Sequence, residues 1–134
     1  MAGFKLKVTP EMESLTQVCV ENSKMDPSLY GKYDVKRGLR DVNGKGVLAG
    51  LTQISSICST DVVDGKTVPC EGRLYYRGYD IHELTQGFLR EQRFGFEEVT
   101  YVLLFGKLPN EKELADFKVL LAGQRSLPKN FVRD

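Results

Sequence analysis

Gly72–Pro109 reads GRLYYRGYDIHELTQGFLREQRFGFEEVTYVLLFGKLP, and this stretch decides how the rest of the chain is read. It opens with strand formers at Arg73–Tyr76 and pivots at Gly78. Asp80 then stands as an N-cap with Glu83 three residues on, the spacing of a capping box. A second helix start follows at once. Gly95 can cap a helix whose third position is Glu98, with Phe94 and Val99 placed as a hydrophobic staple would place them. From Phe96 to Phe105 apolar side chains wrap most of the circumference, so this helix has to be covered on nearly all sides.

Beyond Pro109 the pattern is better balanced. Asn110 caps the next helix, Glu113 completes a capping box, and Leu114, Phe117 and Leu121 form one stripe at helical spacing, with Pro128 limiting the far end. Towards the amino terminus, Thr9-Pro10-Glu11 reads as N-cap, N1 proline and first-turn acid of a helix that ends near Ser23 and carries Met12, Leu15, Val18 and Cys19 on one face. Asp26-Pro27-Ser28 starts a short second helical turn with proline at N1, on which Tyr30 and Tyr33 are neighbours. Gly38, Gly44, Gly46 and Gly50 mark a turn-rich loop before the first strand.

The strand region centres on Asp64-Gly65, set between Val62-Val63 and Thr67-Val68. A type I′ hairpin turn needs positive φ at both central positions, and this dipeptide supplies it. Pro69 is expected to end that strand and Arg73–Tyr76 to add a further extended piece. The fold class is therefore mainly α, with a small antiparallel sheet near residues 48–77 that needs helices packed on it.

Composition bounds the function. A chain of 134 residues, 41% hydrophobic and 28% charged, has ordinary globular composition and is expected to make one soluble domain. Nineteen basic residues are offset by eighteen acidic ones, and no basic run interleaves with aromatics, so no nucleic-acid surface is expected. No apolar stretch of ~18 residues and no signal-peptide pattern is visible; no membrane partner and a cytoplasmic location are expected. Cys19, Cys58 and Cys70 lack the Cys-x-x-Cys spacing that brings two thiolates to one metal, so no metal site is expected. Cys58 and Cys70 flank the Asp64-Gly65 turn and could meet across it as a disulfide, although a reducing cytosol favours free thiols.

The Gly72–Pro109 stretch resembles the amino-terminal region of citrate synthases, which carries a similar Gly-x-Leu-x-Tyr-Arg-Gly-Tyr-Asp-Ile turn followed by Phe-Glu-Glu-Val-x-Tyr-x-Leu-Leu-Phe-Gly-x-Leu-Pro. The resemblance runs back through Lys36–Asp41 and Gly46–Ser55 and forward to Leu127–Asp134, covering residues 26–134; residues 1–25 match only as a loosely similar helix. It implies an enzyme that condenses acetyl-CoA with oxaloacetate to citrate, or a relative that uses propionyl-CoA to make 2-methylcitrate. The CoA thioester is then a substrate and no separate cofactor is implied. The family's two catalytic histidines and catalytic aspartate lie beyond residue 134, so no catalytic residue is expected here. His82, the one histidine, reads as solvated or structurally bonded. The expectation is one amino-terminal fragment, inactive by itself, whose uncovered apolar helices make it self-associate; the family is usually dimeric. An independent CoA-binding or oligomerisation module that keeps the scaffold without the chemistry is the other reading. Because the chain ends inside a stretch that still matches, the first is preferred.

One candidate ligand-contacting cluster stands out. Lys32, Lys36, Arg37, Arg40 and Lys45 lie beside Asn43-Gly44-Lys45-Gly46, whose backbone amides could approach phosphate oxygens. A solvated basic loop is the plainer reading. The resemblance implies that Arg40, in Gly38-Leu39-Arg40, corresponds to the family's arginine that meets the phosphates of CoA. Arg77, between strand and glycine turn, could meet a carboxylate, but is expected instead to pin the turn through carbonyls. Tyr75, Tyr76 and Tyr79 read as packing residues.

Overall fold

A computed structural model of the chain describes residues 7–36, 38–41, 43–44, 46–127 and 131. Among these, the chain forms α1 (Pro10–Asn22), α2 (Ser28–Lys32), β1 (Ser55–Val63), β2 (Lys66–Tyr76), β3 (Tyr79–Asp80), α3 (Ile81–Arg90), α4 (Phe96–Phe105) and α5 (Glu111–Gly123). The fold is mainly α, with one antiparallel sheet in the order β1-β2-β3.

The helix starts follow their capping residues. Thr9 Oγ1 accepts from the Met12 amide at 3.3 Å, and Pro10 opens α1. Asn110 and Glu113 form the complete reciprocal box on α5, each side chain accepting from the other's amide at 2.9 Å. At α3 the N-cap forms without the reciprocal box. Asp80, the register partner of Tyr75, accepts through Oδ1 from the His82 amide at 2.7 Å instead of from Glu83. At α2, Pro27 falls one place earlier than expected and takes the cap position, while Asp26 Oδ1 receives the Ser28 amide at 2.9 Å.

Two expectations at element ends fail for physical reasons. Phe94 is 88% exposed and so staples nothing; the Glu98 carboxylate on the first turn of α4 is buried and paired with Arg93 of the α3–α4 connection. Pro69 does not end its strand. Cys58 pairs with Arg73 and Thr60 with Pro69, so Cys70, Glu71 and Gly72 stand opposite the single residue Ser59. Pro69 stands directly beside this bulge, where the ladder is interrupted and a residue with no amide to donate is tolerated, and β2 continues to Tyr76.

Both hairpins turn on two residues with positive φ. Asp64 and Gly65 have φ of 51° and 74°, and Arg77 and Gly78, joining β2 to β3, have 50° and 89°. Type I′ geometry matches the twist of the flanking strands. The outer hairpin is largely uncovered, with Ile57 80% and Val62 74% exposed.

The core sits between α1, α4 and α5. Tyr101, Phe105 and Phe117 meet edge to face in a mutual triad, with ring centroids 4.5, 5.4 and 5.7 Å apart. Leu15, Val18 and Cys19 of α1 and Leu120 and Leu121 of α5 pack around it. Val102 is wholly buried. The wrap-around apolar pattern of α4 is only partly covered by this chain, since Phe96 is 73% exposed and Leu104 46%.

Candidate functional site

The basic loop is built by glycine geometry. Gly38 and Gly44 have φ of 102° and 78°, conformations that L side chains rarely adopt, and Arg40 and Gly46, on either side of Gly44, form an isolated antiparallel bridge. The Val47 amide donates to Leu39 O at 3.3 Å and the Lys36 amide to Leu48 O at 2.8 Å, so the loop is a small hairpin that returns the chain to its entry point. Arg40 sits on its solvent side. Its Nη1 donates to Gly44 O at 2.8 Å, which orients an exposed guanidinium.

The rest of the expected cluster divides. Lys36 is committed to Asp34 in an exposed pair at 2.6 Å, and Lys32 lies over the Tyr33 ring at 5.4 Å. Arg37 and Lys45 fall outside the described residues. The expectation that this loop's amides face a phosphate does not hold at Gly44, whose N–H closes the turn by donating to Asp41 O at 2.9 Å. Of the cluster's described basic side chains, Arg40 is exposed and bonded to Gly44 O.

Arg77 is a pin, as its donors require. Its Nε donates to Leu103 O at 3.0 Å, Nη1 to Asn22 O at 3.2 Å and Nη2 to Ser23 Oγ at 3.4 Å. One side chain thus satisfies carbonyls at the ends of α1 and α4, where helix geometry leaves them without partners. Asn22 Nδ2 adds a bond to Phe105 O at 2.6 Å. Tyr79 joins the same seam, its hydroxyl accepting from the Leu108 amide at 3.4 Å, and Tyr75 and Tyr76 are half-buried beside it. His82 is exposed on the first turn of α3 and does not meet Arg40 or Arg77 through any hydrogen bond.

An open groove of about 850 Å³ runs between α1 and α5, floored by Leu15, Val18, Tyr101 and Phe117 and edged by Lys107 and Glu113. Lys107 Nζ donates to Glu113 Oε1 at 2.6 Å. That bond and the Asn110 amide hold the Glu113 carboxyl below the usual carboxylate range, and the same pairing raises the Lys107 ammonium. Burial pushes the Tyr101 phenol up. These shifts belong to a capped and packed helix end.

Spacing along the chain missed one constellation. Cys58, Asp61 and Cys70, with no Cys-x-x-Cys between them, bring their ligand atoms within 4.8 Å of one another across the hairpin. The signal was the strand register, which the Asp64-Gly65 turn fixes but which the bulge at residues 70–72 conceals from simple counting.

The elements together define a helical scaffold with a strand arm and a glycine-built basic loop. Residues 38–134 match the family described as "Citrate synthase, C-terminal domain", and the chain belongs to the citrate synthase family. The chain is 43% identical over 56 residues to a 2-methylcitrate synthase of Shewanella oneidensis, covering 42% of this chain and 13% of the relative. It is 33% identical over 88 residues to citrate synthase 2 of Bacillus subtilis, 66% of this chain and 19% of the relative. With a 2-methylcitrate synthase of Mycobacterium tuberculosis the identity is 31% over 110 residues, 82% of this chain and 23% of the relative. The chain thus spans less than a quarter of the length of these relatives.

Proposed function

We propose that the chain is the amino-terminal part of an enzyme that condenses an acyl-CoA with oxaloacetate, as a citrate synthase or a 2-methylcitrate synthase. The observation that carries this reading is the family match over residues 38–134, which takes in the Arg40 loop, the Arg77 turn and α3 to α5 in one continuous run. In this reading the groups that abstract the thioester α-proton and polarise the keto carbonyl lie outside these residues. What the chain supplies is scaffold and one arm of the CoA site. Arg40 meets the nucleotide phosphates with the donors that Gly44 O does not occupy. CoA enters as substrate, and no further cofactor is assigned.

The choice between acetyl and propionyl groups is made by a pocket built elsewhere, and one methylene is worth only ~1–3 kcal/mol of discrimination. The uncovered Phe96 and Val119, 73% and 74% exposed, lie on helices that the remainder of the enzyme or a second copy covers. Light scattering on the concentrated 134-residue chain should show self-association, and a clean monomer counts against it. Among the described residues no helix is long and apolar enough to cross a membrane, which is in keeping with a cytoplasmic enzyme.

The test follows CoA thiol release from acetyl-CoA and propionyl-CoA. The isolated chain should release none, whereas the same chain joined to the remaining length of a family member should release CoA only when oxaloacetate is added. Silence of the joined protein with both thioesters would instead favour a non-catalytic binding module.

A further inference from the structure

Cys58 and Cys70 are half-buried free thiols on the two strands of the outer hairpin, and Asp61 is exposed on the same strand as Cys58. In an unbroken ladder, residues 58 and 61 would point to opposite faces, because side chains alternate. The irregularity between Cys58 and Thr60 removes that alternation. It is held locally by the Cys58 thiol, which donates to Thr60 O at 3.4 Å. The two sulfurs and a carboxylate oxygen end within 4.8 Å of one another.

We propose that Cys58, Cys70 and Asp61 form a surface site for a soft divalent metal ion of the zinc class, with solvent in the fourth position. Thiolate and carboxylate ligands stand about 2.3 Å and about 2.0–2.2 Å from zinc, so the three atoms need only a small inward rotation to share one ion. On binding, each thiol S–H bond is replaced by a metal–sulfur bond. Two protons pass to the buffer and coordinated water leaves the ion.

Arg73 completes the arrangement. It is the register partner of Cys58, and its Nη2 lies 3.3 and 3.4 Å from the two Asp61 oxygens and 3.9 Å from Cys58 Sγ. Two thiolates and a carboxylate carry three negative charges; a divalent ion and one guanidinium balance them. Arg73 is then the outer partner that orients the ligating carboxylate, a role such groups commonly fill.

The experiment is titration of the reduced, metal-free 134-residue chain with Co2+, read by thiolate-to-cobalt charge-transfer absorption, and then with Zn2+. One Co2+ should bind per chain with the intensity of two sulfur ligands, and Zn2+ should displace it. Cys58→Ser and Cys70→Ser should each abolish the two-sulfur signal, Cys19→Ser should leave it unchanged, and Cys70→His should keep binding with one sulfur's intensity. Arg73→Gln should weaken binding roughly 10- to 100-fold. The His variant keeps the idea falsifiable if a serine variant loses the hairpin. Absence of charge-transfer absorption in the reduced chain would overturn the site, as would a signal that survives loss of either cysteine. Tighter binding in Arg73→Gln would also overturn it, since Arg73 would then be the cation's competitor. Recovery of only a Cys58–Cys70 disulfide, with no metal uptake after reduction, would show an oxidisable thiol pair in its place.

Discussion

Arg77 Nη1 donates to the carbonyl of Asn22 at 3.2 Å, while the Asn22 side chain reaches on to Phe105 O, so a β-turn residue and a helix C-terminus close one seam between them. Arg77 holds a left-handed φ of 50°, a conformation uncommon for a residue with a side chain, and its three outgoing bonds fix that turn against α1 and α4. Arg77→Lys keeps the charge but loses the fork. It should destabilise the chain by about 1–3 kcal/mol, chiefly the cost of the part-buried Leu103 carbonyl left without its donor. Urea unfolding of the two proteins side by side measures this.

Phe117 is 4% exposed and meets both Tyr101 and Phe105 edge to face. Phe117→Ala should cost about 3–5 kcal/mol, enough to unfold a chain of this size or leave it molten. The loss of near-UV circular dichroism, with far-UV signal partly kept, is the expected observation.

Gly95 precedes α4 with its backbone against the Phe88 ring, and a Cβ added there would collide with three of the ring carbons. Its φ of −90° is ordinary for any residue, so packing alone decides the outcome. Gly95→Ala should destabilise by about 1–3 kcal/mol, and pairing it with Phe88→Leu should recover part of the loss, as a double-mutant cycle would show.

Glu113 carries a pH dependence whose sign follows from its partners. Its folded pKa lies below its ordinary value, because the Lys107 ammonium and the Asn110 amide both bond the charged form. Its contribution is therefore fully present above the ordinary carboxylate pKa and is lost as pH falls through the lowered folded value. Lys107 runs the other way: its raised pKa keeps its contribution until pH climbs through that value. Glu113→Gln should cost about 0.5–1 kcal/mol near neutral pH, a cap-sized effect discounted for solvent screening. In strong acid the two proteins should have the same stability. Thermal melts across pH test this.

Local chemistry made much of the fold legible. Thr9-Pro10, Asn110 with Glu113, and Asp64-Gly65 each specify a backbone geometry through their own side chains or their tolerance of positive φ, so no distant contact was needed to read them. Phe94 and Pro69 misled because local patterns did not decide them: Phe94 stays exposed, and Pro69 stands beside a bulge through which the strand continues. Arg77 was readable as a pin, but its partners at Asn22, Ser23 and Leu103 were not, since they lie on elements that only the assembled fold brings together. The Cys58–Asp61–Cys70 constellation was hidden for the same reason.

Calorimetric titration of the purified chain with CoA, beside an Arg40→Ala variant, tests most directly the claim that these residues carry part of a CoA site. The account predicts a heat of binding in the parent chain that is lost in Arg40→Ala, with both proteins melting at the same temperature. An identical heat in the variant, or none in either protein, would contradict it.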